Sequence, residues 1–177
     1  KAGVVSAWES IGTNTPVQVQ PWNGFALDEG DHLPVPDGAG ANHFLHGTIG
    51  DVAMRTTLRQ HIDLKKLRST IRKGATYHFS AWIGGWKKQK DEAQVRVVFF
   101  DEDGNELGED TLGPVTAADR DSKNGMRKRQ SEGSVPHASH KVVIELIFDK
   151  EQGGSVSDAA MDLLELVISK ESAPLQN

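Results

Sequence analysis

The chain contains no cysteine. That excludes disulfides, thiol nucleophiles and cysteine-ligated zinc. It leaves the compartment open, because 177 residues can bury enough surface to fold without covalent staples. Nothing in the sequence approaches the ~18 consecutive apolar residues of a membrane helix. No apolar signal core follows Lys1, so a mature or excised form is expected. An excess of basic charge is also missing: the formal net charge is -5, which removes a broad footprint for nucleic acid. The basic runs Lys87-Lys88-Gln89-Lys90 and Arg127-Lys128-Arg129 sit among acids and read as solvated loops. There is no HExxH and no G-x-S-x-G, and Gly38-Ala39-Gly40 lacks the third glycine of a phosphate loop. Asp101, Asp103 and Asn105 resemble the opening of a calcium-binding EF-hand loop. Glu106, however, stands where such a loop needs glycine, so a hairpin is expected there.

Long helical periodicity is absent too, and alternation takes its place. Tyr77, Phe79, Ala81 and Ile83 share one strand face, as do Ala93, Val95, Val97 and Phe99. Val142, Ile144, Leu146 and Phe148 make a third stripe, and Leu164, Leu166 and Ile168 a fourth. Weaker strands are expected over 16–21, 43–47, 57–64 and 106–112, and two turns of helix over 64–72, stopped by Gly74. Residues 28–42 and 115–135 read as loops, with 28–37 shaping one rim of the molecule. Short, regularly spaced strands with little helix predict an all-β, two-sheet antiparallel sandwich. One domain over 1–170 is expected, with 171–177 a flexible tail or the start of a linker.

The ordered set Phe79-Ser80-Ala81-Trp82-Ile83-Gly84-Gly85, Val97–Gly104 and Leu112–Arg120, followed by Gly133-Ser134-Val135-Pro136 and Asp162-Leu163-Leu164-Glu165-Leu166, resembles the galactose-binding-like jelly rolls. Within these it is similar to carbohydrate-binding modules of the family 4/9 type and their bacterial relatives. The resemblance spans roughly residues 40 to 168. It implies a jelly roll that binds rather than catalyses. It also implies a structural calcium ion, Ca2+, with Glu9 and Asp162 at the matching metal positions. Alternation adds that Asp162 shares the apolar face of Leu164, Leu166 and Ile168, where a carboxylate needs a cation or hydrogen bonds.

Flat aromatic rings are the natural platform for a pyranose, which presents one face of C–H groups, while nearby polar groups bond the hydroxyls. The candidates are Trp82, Trp86 and Trp22; Trp8 is expected in the core. Trp82 lies opposite the Phe79–Ala81 stripe. If the following strand pairs alongside, Gln94 and Arg96 flank it as hydrogen-bond donors. Arg120 is expected to form a salt bridge that pins a long loop. His43 and His46, like His137 and His140, are three apart and so fall on opposite strand faces, which argues against a histidine metal site.

These residues predict a non-catalytic carbohydrate-binding or lectin-like domain, extracellular or at a cell surface. Its partner would be an oligo- or polysaccharide, with neither nucleic acid binding nor membrane insertion. A protein–protein or assembly module on the same fold is the alternative, possession of a partner domain in a larger protein is open, and a polysaccharide hydrolase or lyase comes last.

Overall fold

A computed structural model describes residues 7–12, 17–21, 32–48, 50, 53–151, 153 and 156–171. Among these, ten strands form two antiparallel sheets of five. The first sheet runs β1 (Glu9–Gly12), β4 (Met54–Asp63), β9 (Lys141–Lys150), β6 (Glu92–Phe100) and β7 (Glu106–Leu112) in spatial order. The second runs β2 (Gln18–Pro21), β3 (Asn42–Thr48), β10 (Val156–Lys170), β5 (Ala75–Gly85) and β8 (Gly125–Ser134). The sandwich expected from alternation is therefore the observed architecture.

The stripes meet between the sheets. Phe79, Ala81 and Ile83 of β5 face Val95, Val97 and Phe99 of β6 and Val142, Leu146 and Phe148 of β9, all at most 2% exposed. Burying each large apolar side chain contributes about 1.5–3 kcal/mol. A buried polar cluster of His46, Thr56 and Ser157 sits in this layer. His46 has no exposed surface; its Nδ1 lies 3.0 Å from Ser157 Oγ and its Nε2 2.9 Å from Thr56 Oγ1. Both ring nitrogens are thereby satisfied, one donating and one accepting, and the ring ties β3 to β10 in its own sheet and to β4 in the other. Burial pushes its pKa down to about 4.

The expected helix over 64–72 is a 3-10 turn (Lys65–Leu67) followed by α1 (Arg68–Ile71). Gly74 follows at φ 98°, a conformation that favours glycine. Glu171 N–H donates to Gly74 O at 3.1 Å, which anchors the end of the described chain.

Two expectations fail. The stretch 115–135 is not all loop, because β8 occupies ten of its residues. The Arg127-Lys128-Arg129 run thus lies on a strand. Among the described residues β8 is an edge strand paired with β5, and from Arg127 to Ser134 its sequence is charged, polar or glycine, with no apolar residue. Charges on an edge discourage pairing with other chains, and they also erase the hydrophobic period. Second, Asp162 does not share a face with Leu166 and Ile168. A bulge between Asp162 and Glu165 inserts one residue, with Leu163 at φ 49°. Because side chains alternate with period two, one extra residue reverses the face. Asp162 is therefore paired with Trp82 on the outer side, while Leu166 is paired with Phe79 inside.

Candidate functional site

The outer face of the second sheet carries the even-numbered residues of β5: Thr76, His78, Ser80, Trp82 and Gly84. Register places Lys128 of β8 beside Trp82 on one side and Asp162 of β10 on the other. One step along, Met126, Gly84, Ala160 and Leu45 form a row across four strands. Leu45, Met126 and Ala160 are buried and make a small second core, with Trp82 and Ala39 packed against it. Its lid is the segment 32–41, which crosses the sheet close to the backbone. Leu33 N–H donates to Asn124 O at 2.7 Å, and a Cβ at Gly125 would lie 2.7 Å from that of Leu33. Gly84 is equally constrained, since a Cβ there would meet Gly125 O at 1.9 Å.

Between this lid and the sheet lies a cleft of about 390 Å³. Trp82, Met126 and Lys128 line it from the sheet, and Pro34, Val35 and Asp37 from the lid. Val35 is 43% exposed, which is unusual for a large apolar side chain, and it faces the same space as the partly buried indole. Past Trp82 the face becomes polar, with Gln130 and Glu165 paired on either side of Ser80. An aromatic surface bordered by a carboxylate, an ammonium and an amide can cover the apolar face of a sugar ring and bond its hydroxyls. The expectation that residues 28–37 shape a rim is met by their described part, 32–37. The lid prolines and valine were not singled out from sequence, although Leu33-Pro34-Val35-Pro36 is an apolar run inside a polar loop.

Gln94 and Arg96 do not flank Trp82. The strand after β5 crosses to the other sheet, so β5 pairs with β8 and β10, while β6 pairs with β7 and β9. Arg96 instead belongs to a charged ladder on the first sheet's outer face. Arg59 Nη2 lies 2.6 Å from Glu145 Oε1, Arg96 Nη1 lies 3.1 Å from Glu145 Oε2, and Arg96 also pairs with Glu109. Burial alone would raise the Glu145 pKa, but the hydrogen bonds from Arg59 and Arg96 outweigh it and hold it below the usual range.

The other candidates lie apart from the cleft. Trp86 sits in the turn after β5 with Lys87 Nζ 5.5 Å from its ring centre, and it does not line the cleft. Trp22 lies outside the described residues. Trp8 packs on the core, edge-on to Phe44 at 6.1 Å, as expected. Arg120 is 1% exposed and donates to Gly85 O at 2.8 Å and to Lys123 O. It pins its loop as expected, through carbonyls rather than through a carboxylate. His43 and His46 fall on opposite faces of β3; burial lowers the His43 pKa to about 4 as well.

The calcium candidates are placed in different sheets. Glu9 is exposed on edge strand β1, with its carboxylate 3.5 Å from His61 Nε2. Asp162 Oδ1 accepts the N–H of Leu163 at 2.8 Å on the outer face of β10. Among the described residues, no group of three or more His, Cys, Asp or Glu could hold a metal ion. These two side chains do not fit a shared calcium site. The argument from an inward-facing carboxylate falls with the bulge.

No protein-family model matches the sequence, and no curated protein matches it. Solved structures do. The enzymatically active domain of tailspike protein 4 from bacteriophage CBA120 matches over 94% of the chain with a TM-score of 0.58 and 16% identity. The chain spans only 20% of that protein. TmCBM61, solved in complex with β-1,4-galactotriose, matches over 94% of the chain and 90% of its own length, with a TM-score of 0.52 and 12% identity. At these identities the likeness speaks to fold alone. The chain shares with TmCBM61 the fold of a two-sheet antiparallel β-sandwich.

Proposed function

We propose that this domain binds carbohydrate without turning it over, and that the sugar lies on the outer face of the second sheet against Trp82. The observation that carries this reading is the indole itself. It is half-buried at the mouth of a 390 Å³ cleft, with Asp162 and Lys128 at its sides and Val35 opposite. The shared fold with a module solved on a galactotriose supports the ligand class. Affinity would rest on one stacking contact and a few hydrogen bonds, so it should be modest for a short oligosaccharide. An extracellular or cell-surface setting goes with that ligand.

A glycan-array screen of the chain, with Trp82→Ala beside it, tests the proposal. Binding to a defined glycan set that disappears in the variant supports it. No binding by the folded chain, or binding unchanged in the variant, would refute it. Release of reducing ends from the bound glycan would make the domain an enzyme. Calcium is a separate proposal, drawn from the resemblance. A melting temperature that falls with chelator would reveal an ion held by residues other than the Glu9 and Asp162 pair, and an unchanged one would dismiss it.

A further inference from the structure

A second cleft, of about 470 Å³, opens at the other end of the strands, where α1, the 101–105 hairpin turn and the 136–140 turn meet. It shares no lining residue with the Trp82 cleft. Its donors are largely unused. Ser139 is 1% exposed, yet its hydroxyl has no hydrogen-bond partner among the described residues. Arg68 Nε is buried without a partner, although the Nη2 side of that guanidinium meets His140 and, at 3.4 Å, Glu102. Arg72 and His137 line the same space, and neither side chain has an ion pair or hydrogen bond among the described residues. Buried polar groups are normally satisfied, so an orphaned hydroxyl at the wall of a cleft needs an explanation.

The geometry points to a binding site for an acidic sugar, a hexuronic acid unit carrying one carboxylate and several hydroxyls. Arg72 offers a planar fork matched to a carboxylate, and Arg68 Nε adds a further donor. Ser139 can donate to a ring or hydroxyl oxygen. The acids that share this cleft decide against a phosphate-rich ligand. Asp101, Glu102 and Asp103 line the cleft. Asp101 is held by Asn105 at 2.8 and 2.9 Å, while Asp103 is exposed. These carboxylates repel the double charge that a phosphate concentrates at one point, but they accept hydrogen bonds from the hydroxyls beside the single carboxylate of each hexuronic acid unit. A neutral sugar would leave the Arg72 fork unused. No tryptophan, tyrosine or phenylalanine lines this cleft, so recognition here is polar, weak and sensitive to salt, unlike stacking on Trp82.

The test is an NMR titration of the full chain with trigalacturonic acid, neutral galactotriose, inorganic phosphate and acetate in parallel. Trigalacturonic acid should give saturable shifts at Arg72, His137 and Ser139, and Trp82→Ala should leave them intact. Arg72→Gln, at an exposed position, should keep the melting temperature and weaken this binding roughly tenfold or more. His137→Gln should weaken it by a smaller factor. The proposal is overturned if no saturable shift occurs at these residues, or if phosphate, acetate or galactotriose binds there as tightly. It is equally overturned if Arg72→Gln retains full affinity. Loss of the shifts in Trp82→Ala would mean a single site at the sheet face, which also overturns it while leaving the Trp82 reading standing.

Discussion

The two outer faces of the sandwich are built from similar strands and hold their polar groups differently. On the first sheet, Arg59, Glu145, Arg96 and Glu109 pair across β4, β9, β6 and β7. A ligand landing there would have to break ion pairs to make its own contacts. On the second sheet an indole stands at the boundary between a small apolar core and an open polar strip, with a lid segment along one side. Satisfied charges stabilise a surface against change, whereas an aromatic ring at a cleft mouth gains by being covered. A fold can therefore offer two faces and have only one of them ready to bind.

Acid should separate the faces most strongly. His43 and His46 both belong to the second sheet, and burial lowers each pKa to about 4. Below the ordinary value of 6.5 the unfolded chain takes up protons that the folded chain refuses. Stability should therefore fall from pH 6.5 to about 4, by roughly 3 kcal/mol per histidine when complete. Asp91 and Asp158, whose pKa values are raised chiefly by burial, oppose this in the lower part of the window. Glu145 on the other face loses stability with acid in the same sense as the histidines, but in a lower window. Its pKa is depressed, so its contribution is present above 4.5 and is lost only as pH falls below that. Urea unfolding of His43→Gln at a series of pH values should show a shallower slope between 6.5 and 4. An unchanged slope would mean that His43 is not held neutral by the fold.

Ligand binding sharpens the contrast next. Trp82→Ala should weaken glycan binding roughly 30-fold or more, the effect of losing about 2 kcal/mol at a central aromatic contact. Arg96→Ala, on the paired face, should leave it within a factor of about two. Titration calorimetry of the two variants against the best array glycan compares them directly. Equal losses would place the ligand somewhere other than the Trp82 cleft.

Trp82 was legible in the sequence because a tryptophan opposite a strict apolar stripe can only face outward. Its neighbours were not. Period two gives the face of a residue within its strand but not which strand lies beside it, and the β5-to-β6 connection changes sheet. Gln94 and Arg96 were therefore assigned to the wrong neighbour, and Lys128 was hidden in an edge strand that carries no apolar stripe. Asp162 was misplaced by a single inserted residue whose signature is the backbone of Leu163. The sandwich itself was legible, since four stripes on strands now seen in both sheets need one another for a core. The lid over the cleft depends on close backbone approaches at Gly84 and Gly125 that no periodicity reports.

The charged ladder makes a prediction of intermediate size. The Glu145 side chain is 10% exposed and receives both Arg59 and Arg96. Glu145→Ala leaves two guanidinium groups facing each other without the carboxylate between them. Because both arginines keep about a third of their surface in water, the cost should be about 1–2 kcal/mol, below that of breaking a fully buried pair. Glycan affinity should not change. Chemical denaturation reads the first effect, and the same calorimetry reads the second.

The smallest effect belongs to the same face. Arg55 forms two hydrogen bonds to Asp149, at 2.7 and 2.8 Å, across β4 and β9. Its geometry is at least as good as that of the Glu145 pairs, but the Arg55 side chain is 66% exposed. If burial rather than geometry sets the worth of these ion pairs, Arg55→Ala should cost about 0.5 kcal/mol at low salt. That difference should vanish near 1 M salt, where the screening length is about 3 Å. Glu145→Ala should retain most of its effect there. Should Arg55→Ala prove as costly and as salt-resistant as Glu145→Ala, then pairing geometry alone holds the first face closed. Burial of the central carboxylate would no longer distinguish it from the rest of that surface.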